Sequence, residues 1–250
     1  MADEIAERLD LVQRPFADAL DLGCGGGYLT ALLRARGLEV TPADAGAAYA
    51  AGGMQTDEDR LPFPPASFDL IVSAGALDTV NDLPGALALI RRALRPDGLF
   101  LAAFAGAGSL PRLRAAMHAA EEAASPRIHP QIDVRAAGDL LVRAGFALPV
   151  ADSETLTVRF SSLASLVRDL RAMGATNILT DRSRRPIGRA GLAAAAAAFA
   201  GGADADGKVP ERFEIVHMSG WAPAPGQPRP APRGSATASL ADALRPPARR

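Results

Sequence analysis

The sequence predicts an α/β fold with a doubly wound, mostly parallel sheet, and three observations carry that prediction. Short apolar runs alternate with amphipathic helical runs from Ala19 to Ala105. Two of those runs, Phe68–Ser73 and Leu99–Ala105, are apolar on both faces, as central parallel strands covered by helices must be. Finally, Ala19-Leu20-Asp21-Leu22 runs straight into Gly23-Cys24-Gly25-Gly26-Gly27 and then a helical run from Tyr28. Strand, glycine turn and helix in that order form a nucleotide-binding unit. Glycine lets the chain turn sharply and lets a ligand approach the backbone where a Cβ would collide.

Taken in order, Ile5 to Val12 reads as a short amphipathic helix stopped by Pro15, ahead of the first strand. Tyr28 to Arg36 is helical, with Leu29, Leu32 and Leu33 on one face, and Gly37 closes it. Leu38 to Ala43 is a second strand ending at Asp44, and Ala45 to Ala51 a short helix. A polar loop carrying Asp57-Glu58-Asp59-Arg60 leads to the strand at Phe68. Leu83 to Leu94 is a helix with Pro84 in its first turn, Arg95-Pro96-Asp97-Gly98 a turn, and Leu99 to Ala105 a buried strand. Helices follow at Leu110–Ala124 and Val134–Ala144, the second closed by Gly145. Phe146 to Phe160 holds one or two strands. Then the alternation breaks. A helix at Ser161–Met173, a polar loop at Gly174–Arg185 and an alanine helix at Gly191–Ala200 precede a last strand, Phe213–Trp221. Residues 1–222 therefore read as one domain with a helical insert at about 161–209, and residues 223–250 as a flexible Pro/Ala/Arg-rich tail.

Composition narrows the function classes. The chain has 250 residues, 48% hydrophobic but only 5% aromatic, so Ala, Leu and Val fill most of its core. A formal charge of −1, with no basic face interleaved with aromatics, argues against nucleic acid. One cysteine excludes an internal disulfide framework and suits a reducing compartment. The acidic start and the absence of any apolar run near ~20 residues predict no signal peptide and no transmembrane segment, hence a cytoplasmic protein. His118, His129 and His217 are dispersed without ligand spacing, so no metal site is expected; the His129-Pro130 step is a candidate for lining the substrate pocket, with a plain loop histidine as the alternative. Arg182, Arg184 and Arg185 form a basic cluster that reads as a solvated loop.

Three ligands compete for the glycine turn. A dinucleotide fingerprint needs a third glycine where Tyr28 stands, and a phosphate loop needs a lysine that is missing. Asp21, Gly23, Gly25 and Gly27 instead have the spacing acid-x-Gly-x-Gly-x-Gly. With Asp44, Asp57-Glu58, Phe68–Ser73 and Leu94–Gly98 following in order, this resembles the class I S-adenosylmethionine-dependent methyltransferases. The resemblance implies a Rossmann-like, seven-stranded, mostly parallel sheet and S-adenosylmethionine as cofactor. It also implies cofactor-binding roles for Asp21, Gly23, Cys24, Gly25, Gly27, Asp44, Asp57, Glu58 and Ser73. Asp44 would accept from two ribose hydroxyls, Asp57 from the adenine amino group, and the Glu58 backbone would meet the ring edge. Cys24 reads as a small packing residue of the turn.

The second half resembles one subfamily more closely. Asp169–Asn177, Gly220-Trp221 and Arg233–Thr237, with Asn81–Pro84 and Arg143–Phe146, are similar to methyltransferase-like complex I assembly factors and their bacterial relatives. That subfamily is itself similar to the malonyl-carrier-protein methyltransferases of biotin synthesis. This implies an adenosylmethionine-binding protein with a protein acceptor, such as a respiratory complex I subunit. Methyl transfer, arginine hydroxylation and a non-catalytic chaperone role all stand as readings. Where those relatives carry His-Trp, this chain has Asp78-Thr79, which makes Asp78 the candidate general base. Met173-Gly174 and Asn177 are candidates for a lid.

Overall fold

The computed structural model describes residues 1–50, 52–121, 127–228, 234–235 and 239. Its elements in chain order are α1 (Ala2–Asp10), β1 (Asp18–Leu22), α2 (Tyr28–Ala35), β2 (Glu39–Asp44), β3 (Met54–Gln55), β4 (Phe68–Ala74) and a 3₁₀ turn (Leu77–Thr79). There follow α3 (Leu83–Ala93), β5 (Leu94–Ala105), α4 (Pro111–Ala120), α5 (Val134–Ala144), β6 (Ala147–Phe160), α6 (Leu163–Ala172), α7 (Arg189–Ala200) and β7 (Val209–Trp221). The seven strands form one sheet in the order β3-β2-β1-β4-β5-β7-β6. All neighbours are parallel except β7, which runs antiparallel to both β5 and β6. The Rossmann-like fold class read from the sequence is thus the fold observed.

Strand alternation sorts side chains onto two faces. On β5, Leu99, Leu101 and Ala103 join a cluster with Ile5 and Leu9 of α1 and Leu29 and Leu33 of α2. Phe100, Ala102 and Phe104 of the same strand point the other way, into a cluster with Leu87 and Ile90 of α3 and Ala137 and Leu141 of α5. Each fully buried Leu, Ile or Phe there contributes ~2 kcal/mol of burial. Phe146 stacks on Phe100 with ring centroids 5.5 Å apart. A Cβ at Gly220 would stand 2.9 Å from Phe146, so two segments singled out in the sequence, Arg143–Phe146 and Gly220-Trp221, meet in one contact.

Side chains set several boundaries. Asp82 caps α3 by accepting from Gly85 N at 2.9 Å, and Asp133 caps α5 through Ala136 N at 2.8 Å. Ser162 and Ser165 form a reciprocal capping box on α6. Two expectations need correction. Ala45 to Ala50 forms a single turn rather than a helix, because Asp44 Oδ1 takes Gly46 N at 2.7 Å and bends the chain; Ala51 lies outside the described residues. Arg95–Gly98 lies within β5 as a bulge, the β4 register jumping from Phe68↔Leu94 to Leu70↔Leu99. Phe146–Phe160 yields one long strand. β3 is a two-residue strand that the sequence reading passed over.

The insert helices do not lie on the main sheet faces. Leu163, Leu166 and Leu170 of α6 and Ala195 and Phe199 of α7 join Leu113 and Ala116 of α4, with Phe160 and Val209, in a third cluster. β6 and β7 pair from Ala147↔Trp221 to Phe160↔Val209, whereas β5 reaches only to Ile215. Residues 209–214 and 155–160 therefore project beyond the sheet as a two-stranded ribbon that carries this cluster. Glu211, fully buried on that ribbon, accepts from the amides of Arg112 and Leu113 and so caps α4. The predicted end of that helix at 121–124 lies largely outside the described residues, as do most of the tail and Arg233, Ala236 and Thr237. The described start of the tail returns to the sheet, Gln227 Nε2 donating to Asp97 Oδ1 at 2.7 Å. Among the described residues no helix is long and apolar enough to cross a membrane.

Candidate functional site

Open parallel sheets bind ligands beyond the strand C-termini, where the order reverses. Here that point lies between β1 and β4, and the glycine turn sits on it. Gly23, Gly25 and Gly27 have φ of 73°, 49° and 77°, a region that side-chain-bearing residues rarely adopt. At Gly23 space is a second constraint, since a Cβ would stand 2.2 Å from the Ala76 Cβ. At Gly25, Gly26 and Gly27 a Cβ would meet nothing within 4 Å, so this backbone faces open space. The amides of Gly23 and Cys24 donate to the Ala43 carbonyl at 2.8 and 3.0 Å, pinning the turn to the end of β2.

Carboxylates surround the turn. Asp44 Oδ2 accepts from Gly25 N at 2.9 Å and Oδ1 from Gly46 N. Each oxygen keeps a further acceptor position for a ligand hydroxyl. Asp21 lies beneath the turn at 1% exposure. Its Oδ2 accepts from Thr30 Oγ1 at 2.5 Å and its Oδ1 is buried without a partner. Burial pushes its carboxyl above the usual range, Thr30 pulls it down, and Asp44 adds a smaller upward push. Glu58 is half-buried, and its Oε1 comes within 3.6 Å of where a Gly23 Cβ would be. Its side chain, and not only its backbone, therefore faces the turn. Desolvation and the neighbouring Asp44, Asp57 and Asp59 push its carboxyl up. Asp57 is exposed. Ser73 is fully buried with its hydroxyl unpartnered. Cys24 is held near the Tyr49 carbonyl, and burial first, then Asp21 and Asp44, push its thiol up to about 11, which leaves no thiolate at neutral pH.

Two clefts open around these groups. The smaller, of about 530 Å³, runs along Cys24–Gly27, Thr30, Arg34 and Tyr49. The larger, of about 900 Å³, joins Ala45 and Asp57–Arg60 on the sheet side to Leu77–Asn81, and faces His129–Ile132 and Ile178–Thr180 from the lid. Asp57, Glu58 and Asp78 thus share one cleft, Cys24, Gly25 and Gly27 the other. Asp21 and Ser73 line neither and sit one layer below. Asp78 stands on the 3₁₀ turn with Oδ1 buried and unpartnered. Burial pushes its carboxyl up to about 6, against smaller downward pulls from its own amide and from His129.

The lid reading shifts by a few residues. Met173 is exposed and Gly174 closes α6, whereas the residues that reach the cleft are Ile178, Leu179 and Thr180, with Asn177 Oδ1 accepting from Leu179 N at 3.0 Å. Arg182 and Arg185 help shape this loop, Arg182 Nη1 donating to the Leu179 carbonyl at 2.8 Å. His129 and Gln131 also line the cleft, and the only local hint of them was a His-Pro step in a loop.

The donor set decides the ligand class. The carboxylates around the glycine turn, Asp44, Asp57 and Glu58 foremost, would repel the pyrophosphate of a dinucleotide. They fit a ligand with hydroxyls, an amine and a cationic centre. That combination, on this strand order, defines an adenosylmethionine-binding α/β protein. Comparison with known proteins agrees. A methyltransferase domain family matches residues 20–102. The mitochondrial arginine-hydroxylase NDUFAF5 of Rattus norvegicus is 36% identical over 98% of this chain and 76% of its own length. The malonyl-[acyl-carrier protein] O-methyltransferase of Laribacter hongkongensis is 34% identical over 90% of this chain and 82% of its own. Among solved structures, the YcgJ protein of Bacillus subtilis superposes with a TM-score of 0.63 at 14% identity, covering 90% of this chain and all of that one. The chain belongs to the class I S-adenosylmethionine-dependent methyltransferases, and S-adenosylmethionine is its cofactor.

Proposed function

We propose that this chain methylates an acceptor group carried on a protein, and that the reaction takes place in the larger cleft. The observation that carries this reading is the continuity of that cleft. It runs from Asp57 and Glu58, at the cofactor end, past Asp78 to a lid able to close over an acceptor. Bound cofactor supplies a sulfonium-activated methyl group, so the chain's own task is to align the acceptor and exclude water. In this reading Asp44 holds the ribose, Asp57 and Glu58 the adenine end, and the turn from Gly23 to Gly27 admits the methionyl part. Asp21 and Ser73 support the turn and strand from beneath. Asp78 marks the acceptor side. A protein-borne acceptor is supported by the carrier-protein enzyme of Laribacter hongkongensis, matched along 90% of this chain. The reading places the enzyme in the cytoplasm.

A second reading is favoured by the 36% identity to the rat arginine-hydroxylase. In it the same site binds the cofactor but serves arginine hydroxylation, or assembly of respiratory complex I.

The test is to incubate purified protein with S-adenosylmethionine and a bacterial cell extract. S-adenosylhomocysteine is expected to accumulate. Cofactor binding without that product, together with a hydroxylated arginine found by mass spectrometry, would favour the second reading. Binding with neither product would point to a non-catalytic chaperone. Asp44→Ala is expected to weaken cofactor binding about 10- to 100-fold, the range of one or two charge-assisted hydrogen bonds. Unchanged affinity by calorimetry would mean the ribose lies elsewhere.

A further inference from the structure

The lid brings a second titratable group to the acceptor side of the cleft. His129 lines it together with Asp78. The His129 Nδ1 stands 2.9 Å from the Pro130 carbonyl oxygen. A carbonyl oxygen only accepts, so that bond assigns the proton to Nδ1 and leaves Nε2 with its lone pair. Asp78 lines the same cleft, a positive charge on His129 pulls its carboxyl down, and its buried Oδ1 has no hydrogen-bond partner among the described residues. The loop that carries His129 is also tethered. Arg127 pairs with Glu121 and donates to the carbonyls of Ser183 at 3.5 Å and Arg185 at 2.9 Å. That guanidinium links the loop before α5 to the loop before α7, the two segments that form the lid side of the cleft.

We propose that His129 is a catalytic residue whose Nε2 takes the acceptor's proton during methyl transfer, with Asp78 as the counter-charge that holds the resulting imidazolium. The proposal rests on the methyl-transfer reading above. In the step, the acceptor's lone pair forms the new bond to the methyl carbon. The sulfur keeps the electron pair of the bond that breaks, and the acceptor's proton passes to Nε2 and then to solvent. The cleft that His129 lines also carries Asp78 from the 3₁₀ turn and Asp57, Glu58 and Asp59 from the loop after β3, with Arg60 the cation among them.

The experiment follows tritium from methyl-labelled S-adenosylmethionine into a bacterial cell extract, with cofactor affinity measured in parallel. Relative to wild type, His129→Ala is expected to lower transfer by ~100-fold or more, the usual worth of a general base. Its cofactor Kd should stay the same, and added imidazole should restore part of the rate. His129→Gln, which preserves bulk, should show the same loss with cofactor Kd unchanged. Transfer by His129→Ala within twofold of wild type would overturn the proposal. So would a loss that imidazole does not restore and that comes with weakened cofactor binding, since that is a structural role. If the wild type binds the cofactor yet transfers no label, the methyl-transfer reading itself fails and this proposal goes with it.

Discussion

The sheet-side wall of the larger cleft, Ala45, Asp57–Arg60 and Leu77–Asn81, and the glycine turn beside it rest on the two clusters that sandwich the sheet. The opposite wall has two supports: Ile132 packs on the cluster of α3 and α5, whereas Ile128, just before His129, packs into the cluster of α4, α6 and α7 on the projecting β6–β7 ribbon, and Ile178–Thr180 lie in the loop between α6 and α7. The first wall is anchored residue by residue through backbone bonds, such as Gly23 and Cys24 to Ala43. The second combines a backbone bond, Ala107 N to the Ile132 carbonyl, with side-chain ties, Glu211 to the start of α4 and Arg127 between two loops. The two walls therefore draw on different parts of the hydrophobic core.

The largest effect should come from breaking the lid cluster. Phe199 of α7 is 1% exposed, and Phe199→Ala should cost ~3–5 kcal/mol locally through lost burial and the cavity left behind. Hydrogen exchange should then rise in α4, α6 and α7, with β1 and β4 still protected. Equal deprotection of β1 and β4 would show that the two walls unfold as one unit.

Asp78 tests the boundary between the walls. Burial raises its carboxyl from the ordinary 3.8 to about 6, so the folded chain binds that proton more tightly than the unfolded chain does. Its contribution is therefore most favourable below pH 3.8 and is lost as pH rises to about 6, by up to ~3 kcal/mol. Asp78→Asn should remove this slope, so its stability advantage over wild type should grow between pH 4 and 6.5 in urea titrations. Parallel curves for the two proteins would place the carboxylate in water instead.

A smaller effect is expected on the sheet side. Gly23→Ala puts a methyl against Ala76 in a left-handed backbone and should weaken cofactor binding ~30-fold, about 2 kcal/mol. The lid helices should keep their exchange protection. Loss of lid protection in that variant would couple the walls more tightly than their separate cores imply.

The same division explains what the sequence revealed. Asp21, the glycines, Asp44 and the Asp57-Glu58 pair lie near strand ends, in short motifs whose spacing the fold repeats, so strand order and cofactor could be read from them. His129 and Ile178–Thr180 are some fifty residues apart. They meet only because α4, α6 and α7 pack together, and no local pattern records that. β3 was invisible because Met54-Gln55 is too short and too exposed to show a period. The bulge at Arg95–Gly98 looked like a plain turn because Pro96 and Gly98 are turn residues, and only the register with β4 shows that the strand runs on through it. The one turn after Asp44 reads as helix because alanines suggest helix, whereas the Asp44 carboxylate takes Gly46 N two residues on, a local Asx turn that competes with the helix.

The projecting ribbon has a further meaning. Phe160 and Val209 sit directly opposite each other in the ladder. The whole stretch from Ser161 to Lys208 is therefore, in topological terms, the connection of a β-hairpin. Material can be lengthened, shortened or exchanged between those two anchor points without changing the register of any strand in the sheet. A replacement would have to match Leu110, Leu113 and Ala116, together with Phe160 and Val209, the members of that cluster outside the connection. A fold so arranged can exchange that module while every strand of the sheet, and the glycine turn after β1, keeps its place.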